Sequence, residues 1–254
     1  MFGNELMRTG LCAAAILAIP AAASAQLGNL PRIAERDFSR ELSCAADSPL
    51  IEPIMTRRIV AGSERGRTLF AAGDAVIVNA GTAQGLEAGQ QFYIRRVVSD
   101  RFSEPLPGFV PISVHTAGWL RIVDVQEDVS YATITQACDG VMAGDYLEPY
   151  APVAVSSELP AGEPDYSQPA HLILADERRQ LGAAGSLMVM DRGSDDELKP
   201  GQRVTIFQHT LGGVGPIVRL GTGTIAVVRK ETSLVRIDTS NQAVFVGDLL
   251  AIHR

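Results

Sequence analysis

The sequence is short of the residues that do chemistry. Its 254 residues include three cysteines, four histidines, one tryptophan and two lysines, Lys199 and Lys230. Phosphate neutralisation needs a clustered excess of Lys and Arg, so a net charge of −7 excludes a general nucleic-acid binder. His115, His171, His209 and His253 stand singly, with no pair at metal-ligand spacing. There is no Gly-x-Ser-x-Gly nucleophile elbow. Beyond residue 25, no apolar run approaches the roughly 20 residues of a spanning helix, so no transmembrane segment is expected in the mature chain. What the chain does have is 46% hydrophobic against 20% charged residues, enough to bury a core in one large domain or two modest ones.

Residues 1–25 follow the order of a secretory signal peptide: Arg8, an uncharged apolar run from Thr9 to Ala25, and the small residues Ala23-Ser24-Ala25 ahead of Gln26. Glu5 weakens the basic region, and a start at Met7 places Met7-Arg8 directly before the apolar run; we expect Met7 to be the start. Cys12 lacks the small residue that a lipoprotein signal needs before its Cys. The expected location is therefore periplasmic or cell-surface. Cleavage leaves Cys44 and Cys138, which in an oxidising compartment either bridge or lie buried as separate thiols.

An internal repeat organises the rest. Residues 73–96 (GDAVIVNAGTAQGLEAGQQFYIRR) align without a gap to 185–208 (GSLMVMDRGSDDELKPGQRVTIFQ), matching Gly73, Gly81, Leu86, Gly89, Gln90 and Ile94 to Gly185, Gly193, Leu198, Gly201, Gln202 and Ile206. Residues 118–147 likewise align to 221–250, with Gly144, Asp145 and Leu147 recurring as Gly247, Asp248 and Leu250. Two blocks repeated in one order make two copies of one domain. We expect a signal peptide at 1–25, an N-terminal segment at 26–57 with a short helix within 31–43, copy 1 at 58–149, a Pro-rich linker at 150–169 and copy 2 at 170–254. The first copy carries the longer internal loop, 99–111; the second has a Gly212–Pro216 turn.

Within each copy, short β-branched or alternating runs are bounded by Gly and Pro: 75–78, 92–97, 120–125 and 131–134, then 187–190, 204–207, 224–228 and 234–237. That is the period of small antiparallel β-domains. The expected class is all-β: two tandem barrels or sandwiches of five to six strands, after a short helical or irregular segment. Gly81, Gly85 and Gly89 around Leu86 are expected to permit positive φ in tight turns, and Gly193 and Gly201 are the structural turn glycines expected in copy 2. Gly144-Asp145 and Gly247-Asp248 form the turn before each final strand, the Asp bonding amides of its own turn.

The remaining candidates read as structural. Gly212 to Gly223 is rich in glycine, but a phosphate loop must open a helix, and a strand follows here. Asp195-Asp196-Glu197 lacks calcium-loop spacing. Trp119 reads as core or rim packing rather than the wall of a groove. A hydrolase built from His115 with Asp124, Glu127 or Asp128 is the weakest alternative, since carboxylates at a strand end are usually only solvated. No cofactor and no metal are expected.

The blocks GDAVIVNAGTAQGLEAGQQFYIRR and GWLRIVDVQEDVSYATITQACDGVMAGDYLEPY resemble the β-domains that follow the LysM motif in exported bacterial peptidoglycan-binding proteins. The second copy, through AVFVGDLL, resembles their last domain and, more loosely, the C-terminal domain of flagellar assembly protein T. Export, the repeated β-domains and the lack of a catalytic constellation lead us to expect an exported, non-catalytic envelope scaffold or adaptor whose partner is another envelope protein or assembly. The LysM segment itself is absent, so peptidoglycan binding is the alternative and is not carried over. A PDZ domain, where Gly-Leu-x-x-Gly turns also occur, lacks its carboxylate-binding loop here.

Overall fold

The computed structural model describes residues 38–49, 53–98, 112–151, 153, 159–160, 162–175, 179–211 and 214–254. The expected signal peptide, the longer loop of copy 1 and residues 152, 154–158 and 161 of the linker lie outside them. Among the described residues, no helix is long and apolar enough to cross a membrane.

The described residues are all-β apart from one short α-helix, α1 (Phe38–Cys44), and single helical turns. Copy 1 runs β1 (Ile59–Gly62), β2 (Leu69–Phe70), β3 (Ala75–Val78), β4 (Gln91–Val98), β5 (Ser113–Val125), β6 (Ser130–Ala137), β7 (Val141–Met142) and β8 (Tyr146–Pro149). Copy 2 repeats the set as β9 (Pro164–Ala175), β10 (Leu181–Gly182), β11 (Leu187–Met190), β12 (Arg203–Leu211), β13 (Val214–Val228), β14 (Ser233–Ser240), β15 (Val244–Phe245) and β16 (Leu249–His253). Every run expected from alternation is a strand.

The repeat extends to topology. Copy 1 forms an antiparallel sheet in the order β1-β3-β6-β5-β4-β8, and copy 2 has the same order, β9-β11-β14-β13-β12-β16, closed into a barrel by β16 on β9. A bulge falls between Ile94 and Arg95 in one copy and between Ile206 and Phe207 in the other. In both, a two-stranded ribbon, β2 with β7 or β10 with β15, lies apart from the main sheet. Each copy has its own apolar core, with Ile59, Leu86, Ile94, Ile122, Ile134 and Leu147 answered by Leu172, Leu198, Ile206, Ile225, Ile237 and Leu250. Equivalent positions also trade volume. Phe70 and Val76 fill in copy 1 the place that Gly182 and Met188 fill in copy 2, so bulk lost at one site returns at its neighbour.

Two expectations are corrected. Residues 164–169, expected in the linker, belong to β9: Pro164 is the strand's first residue, and Pro169 falls where the pairing with β16 slips between Leu250 and Ile252, so neither missing N–H breaks a regular ladder. Gly81 and Gly193 do not supply positive φ. Both are extended, at −141° and −142°, and a methyl group on either would strike the carbonyls of Gln126 and Glu127 or of Arg229 and Lys230. The requirement there is closeness of two backbones.

Candidate functional site

The turn residues perform the same tasks in both copies. Gly89, Gly201, Gly144 and Gly247 lie at φ of 90° to 98°, in the left-handed region. Gly85, at 76°, ends the helical turn Thr82–Gln84; its counterpart in copy 2 is Glu197, at 64°, the one non-glycine residue with positive φ among those described. The Asp145 carboxylate accepts the Met142 N–H at 2.8 Å, and Asp248 accepts that of Phe245 at 2.7 Å. Gln84 and Asp196 each accept the N–H of the residue three before, Gly81 and Gly193.

Similar bonds engage several of the candidate side chains. In the acidic run, Asp196 accepts Arg192 at 2.7 Å; burial tends to raise its carboxyl, and the bonds from Arg192 and Gly193 bring it below the ordinary value. The surrounding cleft, lined by Arg192, Asp195, Asp196, Glu197 and Arg254, mixes both signs of charge. No group of three or more metal-ligating side chains occurs among the described residues. His115 and Asp124 lie on the one strand β5, nine residues and about 30 Å apart, and Glu127 and Asp128 are exposed in the following turn. The hydrolase set is not brought together. His253 bonds Thr205 Oγ1 at 2.9 Å, but Thr205 is buried and offers no nucleophile. His171 Nδ1 meets Asp191 at 2.9 Å, and the same carboxylate accepts the His171 N–H, which ties the end of β11 to β9. Residues 214–223, expected as a turn ahead of a strand at 224–228, are themselves the first part of β13, and 212–213 lie outside the described residues.

The polar side chains that do converge lie at the joint between the copies, a feature not anticipated from sequence. Cys44 and Cys138 form a disulfide with Cα atoms 5.6 Å apart, which ties the end of α1 to copy 1. The helix and the residues after it place Leu42, Ala45 and Ala46 against Ile173, Leu174, Val189 and Leu234 on the outside of copy 2. Asp47 pairs with Val114 of β5 through two backbone bonds of 2.8 Å, and its carboxylate meets Arg229 of copy 2 at 2.9 Å. Burial lowers the Arg229 guanidinium, and Asp47 opposes that effect. On the face so covered, Arg95 donates to Thr116 at 2.7 Å, meets Glu148 at 3.3 Å and stands over the Tyr93 ring at 4.6 Å.

Tyr93 belongs to an aromatic group with Trp119 and Tyr150, the centroid distances being 6.4, 4.7 and 5.6 Å. Tyr93 is buried and bonds the Ala151 carbonyl at 2.8 Å. The rings cover one another, so Trp119 is rim packing.

Two surfaces stay open. Each ribbon exposes an apolar cross-strand pair, Leu69 with Met142 and Leu181 with Phe245, at equivalent places in the two copies. The first part of β13, residues 214–220, runs ahead of its pairing with β14, which begins at Gly221. Comparison with known proteins finds no family model that matches the chain and no matching curated protein.

Proposed function

We propose that this chain is an exported, non-catalytic protein of the bacterial cell envelope that acts as a scaffold or adaptor for another envelope protein or assembly. One observation carries the reading: Asp145, Asp196, Asp47 and Arg229 are engaged in turns and in the joint between the copies, while apolar ribbon pairs and a strand edge lie open. Such surfaces bind polypeptides rather than turn over substrates. The leader-like residues 1–25 and the Cys44–Cys138 bridge, a bond of oxidising compartments, agree with export, as does the resemblance to LysM-associated β-domains.

The test is crosslinking in intact cells followed by purification of the mature chain. Repeated recovery of one envelope protein, lost when Leu181 and Phe245 are replaced by Ser or when Ile217 on β13 is replaced by Pro, is the expected result. Co-sedimentation with purified cell-wall sacculi, with no protein partner recovered, would move the function to glycan binding.

A further inference from the structure

The open edge of β13 has an occupied counterpart in copy 1. There, Asp47 donates its N–H to the Val114 carbonyl and accepts the Val114 N–H, and Thr116 Oγ1 donates to the Ala45 carbonyl at 3.2 Å. Residues 45–47 thus run antiparallel along β5 on the side away from β4. Register fixes the equivalent positions in copy 2. After the shared bulge, Val97 opposite Val114 is answered by His209 opposite Ile217, and Arg95 opposite Thr116 by Phe207 opposite Arg219. Ile217 therefore occupies the place of Val114, whose N–H and C=O point off the sheet. Val114 is 2% exposed beneath its occupant, whereas Ile217 is 44% exposed. No strand pairs with this side of β13 before Gly221 among the described residues.

The charge beside the edge indicates what fits there. Where copy 1 has Thr116, copy 2 has Arg219, exposed on the same face. Arg219 and Arg203 both lie near His253, whose imidazole is lowered first by burial and further by these two cations. In copy 1 the occupying segment brings a carboxylate, Asp47, which an arginine holds.

We propose that the β13 edge of copy 2, centred on Ile217, docks an extended acidic segment of a partner polypeptide, added antiparallel as residues 45–47 are added to β5. The segment carries a carboxylate two positions before the residue that pairs with Ile217, where Arg219 receives it. Main-chain bonds supply the affinity and the carboxylate supplies the register. This deepens the adaptor reading and rests on it.

The probe is a synthetic eight-residue peptide alternating Glu and Val, compared with its Gln counterpart, titrated into the isotopically labelled mature chain while backbone amide shifts are followed. The expected result is a set of shifts confined to residues 214–220, with Kd weakened about fivefold by the Gln peptide and by Arg219→Gln, as for one exposed ion pair. Ile217→Pro removes the N–H that faces the peptide and should abolish the shifts, while the barrel amides of β14 and β16 keep their positions as a check on folding. Ile217→Lys, which keeps the N–H, should retain binding and serves as a second control. Shifts elsewhere, or none at millimolar peptide, would overturn the proposal. Concentration-dependent broadening at Ile217 without peptide would give the edge to a second copy of this chain and overturn it as well. A photo-crosslinker at Phe245 that captures an envelope protein while one at Ile217 captures none would sink this surface and leave the adaptor reading standing.

Discussion

Copy 1 and copy 2 share strand order, turns and a bulge, yet they complete themselves differently. The twelve-residue β9 reaches β16 along one half and β11 along the other, so copy 2 closes by hydrogen bonds. The four-residue β1 pairs as a strand with β3, and its contact with β8 is shorter: one bridge, Arg58 to Tyr146, flanked by backbone bonds from Leu147 to Arg57, from Ile59 to Asp145 and from Gly144 to Ile59. Pro149 on β8 removes an N–H from that edge, a common guard against stray pairing. Beside that short closure, copy 1 has α1 and residues 45–49 laid over its outer face and fixed by Cys44–Cys138. One template is thus closed once by a long ladder and once by a short one with a covalent pin beside it.

The sharpest way to break that comparison is to remove the pin. Replacing Cys44 and Cys138 by Ser opens a loop with a sequence separation of 94, which should cost about 4 kcal/mol. Hydrogen exchange should show the loss mainly in copy 1 and in the joint. Equal loss of protection throughout copy 2 would mean that the barrel, too, depends on the crosslink.

A smaller effect should separate two equivalent positions. Arg96 donates twice to the Asp145 carboxylate, at 2.7 and 2.8 Å, and also to the Gly140 carbonyl, and Asp145 is 3% exposed. Its counterpart, Gln208, is exposed. Arg96→Met should cost about 3 kcal/mol by leaving a buried carboxylate unpaired, whereas Gln208→Met should change stability by less than about 0.5 kcal/mol. Denaturant midpoints for the two variants read the difference directly.

Glu197 marks the reverse asymmetry. It holds a left-handed conformation where copy 1 has Gly85, so Glu197→Gly should stabilise copy 2 by roughly 0.5–1 kcal/mol, the strain relieved less the extra freedom of the unfolded glycine. Gly85→Glu should destabilise copy 1 by a similar amount. A calorimetric midpoint that falls for Glu197→Gly would show that the Glu side chain contributes something the turn geometry does not reveal.

The smallest effect is one of pH. Burial raises the Asp248 carboxyl, with the Phe245 amide partly opposing it. A folded-state value above the unfolded one means that the folded chain binds the proton more tightly. The associated stability is complete below the ordinary carboxylate range and is lost as pH rises through the folded value. Asp165 and Asp196, both lowered, give the opposite slope, so the measurement is a difference. The stability of Asp248→Asn relative to the parent should rise with pH across this window. A flat difference would place the Asp248 carboxyl at its ordinary value.

Strands and turns could be read from the sequence because their causes are local: alternation at Ala75–Val78 and Leu187–Met190, and left-handed glycines at Gly89 and Gly201. The turn role of Asp145 and Asp248 could be read for the same reason, and the repeat disclosed their equivalence. What stayed hidden depends on distant partners. Proline content marked 164–169 as linker because the sheet that accepts Pro164 and Pro169 is assembled from strand β16, far along the chain. Asp47, Arg95 and Arg229 give no local signal, since their convergence requires both copies and the intervening helix to be in place. Gly81 was recognised as necessary on the wrong ground, because the obstructing carbonyls of Gln126 and Glu127 belong to another turn.

The closing ladder of copy 2 also fixes an order of events. β9 is the first strand of that copy and β16 the last, so residues 164–171 have no partner on that side until residues 249–253 arrive. A chain delivered from its N-terminus holds all eight strands of copy 1, with Cys44 and Cys138 both available, while copy 2 is still an open sheet. Pairings between elements so remote in sequence form slowly. A chain emerging in that order would be able to complete its crosslinked copy before the barrel has the strand that closes it.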